Sequence, residues 1–328
     1  VKRMKNVMVG IDTSNYRTSL CLATEDGEIV AEAKKLLRVK EGERGLQQSE
    51  AVFQHVMNLP ELCDQLKLQE YQVKGICVSE KPRPKDGSYM PVFKVGEGLG
   101  KSLSLFLRVP LYLTTHQEGH IAAGEYTARQ RPVNNRFLAV HLSGGTSEIL
   151  SCQRTETGYL IDIIGGTIDL HAGQLVDRIG VALKLPFPAG PYLEELAKEV
   201  DHVETSVEEF RVSSSVKGLT FSFSGPENAL LRANKEGMAT PSQIARATEQ
   251  CVANSLEKAL RNAIEAGHGR EVLIVGGVAA NQYIRERLIK RLEHPAVKGK
   301  LIFCDPAYTG DNAYGVAMLG WMKAKGEH

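Results

Sequence analysis

His116 and His120 stand four residues apart in the stretch Thr114-Thr115-His116-Gln117-Glu118-Gly119-His120. On a helix that spacing places both imidazoles on one face, the simplest way to aim two nitrogen donors at one metal ion. The same spacing also fits two core or surface histidines, so the pair needs partners elsewhere in the chain. Asp311 is a candidate third ligand. It follows Tyr308-Thr309-Gly310 and opens a helical pattern. A carboxylate there either caps the helix or completes a two-His, one-carboxylate set suited to zinc or ferrous iron. A zincin-type protease needs Glu directly after the first His to act on metal-bound water. Gln117 takes that place here, Glu118 points elsewhere, and Gly119 weakens the helix. Peptidase chemistry is therefore a poor match.

Two glycine turns could hold a second kind of ligand. Ser143-Gly144-Gly145-Thr146-Ser147 ends an apolar run; its glycines would let backbone N–H groups approach a phosphate, and it also fits a plain hairpin turn. Gly276-Gly277-x-x-x-Asn281 follows a second apolar run. It leaves room for a flat ligand, with Asn281 offering a donor and an acceptor, or it is a tight turn with Asn281 as helix cap. Its glycine spacing is not the dinucleotide fingerprint. Asp12 and Asp177 could face one cleft from two halves of the chain, or be ordinary turn and surface charges. Lys81, Arg83 and Lys85, in a Pro-rich loop, could meet a phosphate or an RNA backbone or simply be solvated.

The elements that must carry these residues follow from hydrophobic patterning. Residues 7–11, 18–23 and 28–32 read as strands separated by the turns Asp12-Thr13-Ser14-Asn15 and Glu25-Asp26-Gly27. The same order recurs at 136–142, 148–153 and 159–163. This is a duplication of pattern rather than of letters, and it implies two similar α/β units facing a cleft. Between the meanders, 45–67 reads as a helix with Val52, Phe53, Val56, Met57 and Leu59 as its apolar face, interrupted at Pro60. A strand is expected at 73–79, a helix at 95–107, and a strand at 109–113 leading into the histidine pair. In the second half, 170–185 reads as a helix ended by Pro186 and its neighbours, 200–215 as charged and irregular, and 221–226 as a short alternating run. Residues 241–266 form the clearest helix, with Thr240 as N-cap, Pro241 at its first position and Gln243 as capping-box partner. Strands at 271–275 and 301–304 and a final helix to about 323 complete the pattern.

The 328 residues carry 40 Lys and Arg against 39 Asp and Glu, with 42% hydrophobic residues. That composition is globular, and the length favours two domains with separate cores. A net charge of +1 argues against a chain that binds nucleic acid by bulk charge. The six cysteines, none in a Cys-x-x-Cys pair, indicate a reduced protein. No apolar run is long enough to span a membrane, and no signal-peptide core follows the basic first residues. The expectation is a cytoplasmic protein.

Taken in order, these residues resemble the TsaD family, the tRNA threonylcarbamoyladenosine synthases once labelled O-sialoglycoprotein endopeptidases or M22 glycoproteases. Gly10-Ile11-Asp12-Thr13-Ser14 is similar to the family's Gly-Ile-Glu-Thr-Ser, and His116 to His120 to its His-x-Glu-Gly-His. Leu142 to Gly145 matches its Ser-Gly-Gly strand end. Val176-Asp177-Arg178 and Phe187-Pro188-Ala189-Gly190-Pro191 resemble Phe-Asp-Lys and Tyr-Pro-Gly-Gly-Pro. Phe221 to Gly225 is the family's Phe-Ser-Phe-Ser-Gly, Gly276 to Asn281 its Gly-Gly-Val-x-x-Asn, and Thr309 to Asn312 resembles Cys-Thr-Asp-Asn.

The resemblance implies an α/β fold of the ASKHA (actin/Hsp70-like, RNase H-like) type, two duplicated domains around a nucleotide cleft. Residues 1–130 would form the first domain and 131–305 the second, with 306–328 a helix returning toward the first. It implies one divalent metal (iron, zinc or magnesium) on His116, His120 and Asp311. It implies ATP or threonylcarbamoyl-AMP held by His141, Leu142, Ser143, Gly144, Gly145, Asp177, Gly190, Gly276, Gly277 and Asn281. The implied reaction moves threonylcarbamoyl from its adenylate to N6 of the tRNA adenosine beside the anticodon, the metal acting as a Lewis acid. A related ASKHA protein or a second copy is the implied protein partner. The chain also departs from the family. Tyr16-Arg17 replaces acidic residues, Lys81 to Gly87 replaces a Gly-Pro-Gly loop, and Thr146-Ser147 replaces His-Thr. Asp169-Leu170-His171 replaces a paired Asp-Asp segment, and the Val-Pro-Glu segment is not recognisable. The pattern is that of a divergent paralogue. Transferase, a nucleotide- and metal-binding regulator or scaffold without transfer activity, and other carbamoyl or phosphoryl chemistry all remain consistent with it.

Overall fold

The computed structural model describes residues 4–14, 16–39, 46–202 and 210–327. Asn15, Gly45 and residues 203–209 of the irregular 200–215 segment lie outside these residues. The strands are β1 (Asn6–Asp12), β2 (Arg17–Ala23), β3 (Ile29–Leu36), β4 (Gln72–Lys81), β5 (Leu111–Thr115), β6 (Arg136–Leu142), β7 (Ser147–Arg154), β8 (Tyr159–Thr167), β9 (Ser215–Lys217), β10 (Thr220–Ser222), β11 (Glu271–Val275) and β12 (Lys300–Phe303). The helices are α1 (Gln48–Leu66), α2 (Phe93–Leu107), α3 (His116–Thr127), α4 (Ala172–Ala182), α5 (Gly190–Lys198), α6 (Ser224–Glu236), α7 (Pro241–Glu265), α8 (Gln282–Leu292) and α9 (Tyr314–Gly326).

The duplication read from the two meanders extends to whole sheets. One sheet runs β3-β2-β1-β4-β5, and the other carries the equivalent order β8-β7-β6-β11-β12 with β10 and β9 added beyond β8. In each, an antiparallel meander is followed by two parallel strands on its far side. Parallel strands need crossover connections, and α2, α7 and α8 lie between the parallel strands in sequence.

Both sheets are covered on both faces, which is why β1, β6 and β11 read as continuous apolar runs. Val7, Val9 and Ile11 pack toward Leu59, Leu62 and Leu66 of α1 and partly buried Val95 and Leu99 of α2. Leu138, Val140 and Ile274 pack toward Ile244, Val252 and Leu256 of α7 and Leu288 of α8. Between the sheets, Ile121 and Ala122 of α3 and Val316, Met318 and Leu319 of α9 share one core with Met8 and Cys21 of the first sheet and Phe137 and Leu150 of the second. The middle layer of this five-layer stack is therefore α3 and α9, the two helices beside the candidate metal ligands.

Four readings are corrected. Pro60 lies inside α1 and does not end it. Pro60 removes the N–H partner of the Val56 carbonyl, but Val56 is half-exposed, so water can replace that bond. The inner face of α1 is His55, Asn58, Leu59, Leu62 and Leu66, while Phe53, Val56 and Met57 face outward. The polar pair turns inward because His55 Nδ1 lies 2.9 Å from Thr18 Oγ1 and Asn58 Nδ2 donates to the same hydroxyl at 3.2 Å. The Pro-rich stretch after α4 starts α5, with Pro191 in its first turn, where a missing N–H costs no helical bond. Residues 221–226 are the junction of β10 and α6 rather than one strand.

Candidate functional site

β5 ends at Thr115, and that residue caps α3. Its hydroxyl accepts from Glu118 N at 3.2 Å, and Glu118 Oε2 accepts from Thr115 N at 3.0 Å. This capping box takes up the Glu118 carboxylate and fixes the first turn, so His116 and His120 share the inner face of α3. Their Nε2 atoms stand 3.1 Å apart. The loop before α9 supplies the carboxylate: Asp311 Oδ1 is 3.5 Å from His116 Nε2 and 3.5 Å from His120 Nε2. Asp311 is free for this because Asn312 caps α9, its Oδ1 accepting from Tyr314 N at 3.1 Å and Gly315 N at 3.3 Å.

One donor atom from each of the three residues lies within 4.8 Å of the others. Two imidazole nitrogens on a tetrahedral ion, at about 2.0–2.1 Å from it, stand about 3.3 Å apart. The observed separation and the buried donor set fit such an ion. The second shell fits too: Asp12 Oδ1 is 3.3 Å from His116 Nδ1, the carboxylate–histidine arrangement that orients a metal-ligating ring. Asp12 is fully buried and is itself held by Ser79 Oγ and by Ser14 Oγ. It sits beneath His116 rather than in an open cleft opposite Asp177.

His141 belongs to this cluster. Its ring centroid is 4.5 Å from that of His120 and 6.2 Å from that of His116. It is 1% exposed, and neither ring nitrogen has a partner among the described residues. Such orphaned buried polar atoms call for an explanation, but the donor group that could hold an ion is His116, His120 and Asp311, without His141. The placement on β6 beside the triad differs from the nucleotide role expected from the family motif. His55 is another buried imidazole nearby. Burial pushes it down to about 4 against the opposing pull of Asp12 and Asp311, so it is neutral at pH 7. It was invisible in the sequence because its neighbours Phe53 and Val56 suggested a different inner face.

The electrostatics of the triad are coupled. Burial works to lower His116, but Asp12 and Asp311 outweigh it and push the ring up to about 10. His120 moves down through burial and the neighbouring His116. His141 is held well below the usual range by burial, then by His120 and His116. Burial works to raise Asp311, yet the two histidine contacts hold it well below the carboxylate range.

Beside the triad lies a cavity of about 450 Å³. Ser143, Gly144, Asp177, Gly190, Gly277, Asn281 and Asp311 all line it. The Ser143–Thr146 turn is closed by Ser143 N donating to Thr146 O at 2.7 Å, and α4 packs under it with Gly173 against the Gly144 backbone. Asn281 takes the cap role, Oδ1 accepting from Ile284 N of α8 at 2.9 Å, while Nδ2 donates to Glu249 Oε1 at 2.6 Å. Burial pushes Asp177 up to about 6, against the lowering effect of the Ala189 N–H it accepts at 2.8 Å. Glu194, Glu249, Val278 and Ile284 also face the cavity and were not singled out in the sequence; nothing in local patterning marks a helix-interior Glu249 as a cleft residue.

Four expected nucleotide residues do not line the cavity: His141, which lies in the histidine cluster, and Leu142, Gly276 and Gly145. Leu142 is fully buried. Gly276 packs on it so closely, at φ +96°, that a methyl group would lie 2.1 Å from the Leu142 carbonyl. Gly145 is exposed at the turn. Arg83, read as either a phosphate or RNA-backbone contact or a solvated charge, instead has its Nη2 2.8 Å from Glu148 Oε1.

The family model described as tRNA N6-adenosine threonylcarbamoyltransferase matches residues 27–318. A tRNA N6-adenosine threonylcarbamoyltransferase of Methanopyrus kandleri is 30% identical over 96% of this chain and 86% of its own. A probable bifunctional tRNA threonylcarbamoyladenosine biosynthesis protein of Methanocaldococcus jannaschii is 26% identical over 97% of this chain and 56% of its own. Among solved structures, full-length HypF in its phosphate- and nucleotide-bound form superposes with a TM-score of 0.59 at 13% identity, covering 99% of this chain and 47% of that one. That likeness, with the duplicated sheets, shows the ASKHA fold.

Proposed function

The chain belongs to the tRNA N6-adenosine threonylcarbamoyltransferase family, and we propose that it transfers a threonylcarbamoyl group from its adenylate to N6 of the tRNA adenosine beside the anticodon. The observation that carries the proposal is the pairing of a buried His116–His120–Asp311 donor set with an adjoining cavity that shares Asp311. Those three residues would hold a divalent ion. The imidazole-rich set suits zinc or ferrous iron better than magnesium. Bound there, the ion supplies Lewis-acid polarisation of the carbamoyl oxygen.

The chain's own groups divide the rest of the work. Asp12 holds the His116 ring in orientation. The backbone N–H of Gly144, where a Cβ would meet nothing within 4 Å, receives the phosphoryl group of the adenylate. The second hydrogen of Asn281 Nδ2, beyond the one given to Glu249, is offered to the purine, and Val278 and Ile284 pack on it. The N6 amine attacks the carbamoyl carbon and loses a proton as the bond from that carbon to the phosphoryl oxygen breaks and AMP leaves. Glu118 is held in its capping box, which supports the reading that this is not a peptidase. The outward Phe53, Val56 and Met57 of α1, with Leu105 and Phe106 of α2, support a docking face for a second copy or a related ASKHA protein. Among the described residues no helix is long and apolar enough to cross a membrane.

Supplying threonylcarbamoyl-AMP and unmodified tRNA tests the reading. The wild type is expected to release AMP in a tRNA-dependent way and to yield the modified nucleoside, with His120→Ala inactive in both. Arg17 in the cavity favours a second reading, a nucleotide- and metal-binding regulator. AMP binding without tRNA-dependent turnover would select that reading.

A further inference from the structure

Arg17 opens β2, where its backbone pairs with Leu36, and its side chain turns into the cavity. Nη1 donates to the Asp311 carbonyl at 3.1 Å. The guanidinium lies against the loop before α9, so close that a Cβ on Gly310 would stand 3.3 Å from Nη1. It therefore sits at the seam between the donor triad and the cavity, on the same cavity wall system as Ser143, Gly144 and Gly277.

Arg17 is the sole Lys or Arg among the described residues that line this cavity. Four carboxylates line it as well, and each is engaged elsewhere. Asp311 faces His116 and His120, and Asp177 accepts from Ala189 N. Glu194 accepts from Gln282 N at 2.9 Å, and Glu249 pairs with Arg246 at 2.7 Å and accepts from Asn281. No ion pair joins Arg17 to a carboxylate among the described residues. A guanidinium carries five N–H donors in a planar fork, and the Asp311 carbonyl takes up one group of them. A half-buried arginine with donors to spare beside backbone N–H turns is suited to bidentate contact with a phosphate.

We propose that Arg17 is a specificity-determining residue of the cleft that binds the phosphoryl group of the nucleotide ligand, so that the cleft selects phosphorylated adenosine over adenosine. This rests on the nucleotide reading of the cavity given above. It assigns the cation to the phosphate rather than to the carboxylate of the threonyl group, the other anion on the expected adenylate.

Calorimetric titration of the intact protein with AMP, ADP and adenosine tests it, using wild type, Arg17→Gln and Arg17→Lys, with unfolding curves to confirm that each variant is folded. The expected result is a loss of about tenfold or more in AMP and ADP affinity in Arg17→Gln, with adenosine affinity changed by less than about twofold. Arg17→Lys, a point charge without the fork, should fall between. Raising the salt concentration should weaken AMP binding more in the wild type than in Arg17→Gln. Unchanged AMP affinity in Arg17→Gln would overturn the proposal, and would be the outcome if the arginine served the threonyl carboxylate. An equal fall for AMP and adenosine would also overturn it, revealing only support of the Gly310–Asp311 loop. A wild type that binds neither AMP nor adenosine would sink the nucleotide reading and this inference together.

Discussion

Gly315 in the first turn of α9 and Gly119 in α3 meet backbone to backbone: a methyl group on Gly315 would stand 1.9 Å from the Gly119 carbonyl oxygen. On the other side, a methyl on Gly10 of β1 would stand 2.2 Å from the Ala313 carbonyl. The start of α9 is wedged between β1 and α3 at distances only glycine allows. That wedge brings Asp311, four residues before Gly315, to the histidines of α3.

Gly315→Ala is accordingly expected to destabilise the protein by about 3 kcal/mol and to weaken metal binding without altering any ligand. Denaturant unfolding and metal titration of the variant check this. Gly144→Ala is the contrast: with no atom within 4 Å of the added methyl, stability should change by less than about 1 kcal/mol while AMP binding weakens. Equal stability losses in the two variants would contradict the packing argument.

Asp177 gives a pH prediction. Its carboxyl is raised by burial to about 6, from about 3.9 in an unfolded chain. The folded state therefore holds the proton more tightly, and stability from this group is present below about pH 4 and lost as pH rises to about 6. Two pH units correspond to about 3 kcal/mol at most. The group is partly exposed, and solvent screening reduces this to about 1–2 kcal/mol. Asp177→Asn keeps an acceptor for the Ala189 N–H and should stabilise the protein at pH 7 by that amount, with no difference at pH 4. Urea unfolding at the two pH values measures it; equal effects at both would refute the assignment.

Glu148 on β7 ties the two halves together. It pairs with Arg83 at 2.8 Å and accepts from Gln117 Nε2 at 2.7 Å. A double-mutant cycle with Arg83→Ala and Glu148→Ala should give a coupling of about 1 kcal/mol. A coupling near zero would return Arg83 to the role of a free cation in the Pro-rich loop.

The histidine pair was legible because a four-residue spacing and a strand-to-helix junction are local features. The meanders were legible for the same reason, since hairpin turns join neighbours in sequence. The order of the parallel strands was not, because β1 pairs with β4 across 59 intervening residues. Asp311 could be read two ways until Asn312 took the capping role. His141 shows the opposite limit. Strand alternation places its side chain on one face of β6, but only the packing of α3 against the second sheet reveals that the face meets His120. α1 misled because its apolar residues Phe53, Val56 and Met57 are not its core, a difference set by the hydrogen bonds of His55 and Asn58 to Thr18.

Metal content is the most direct test of the account. Elemental analysis of the protein produced in zinc- and iron-supplemented medium, wild type beside His116→Ala, should find close to one ion per chain in the first and less than about a tenth of that in the second. AMP affinity, measured on the same samples, should change little, because the nucleotide cavity is built from other residues. Equal ion content in the two proteins would contradict a metal centre on His116, His120 and Asp311.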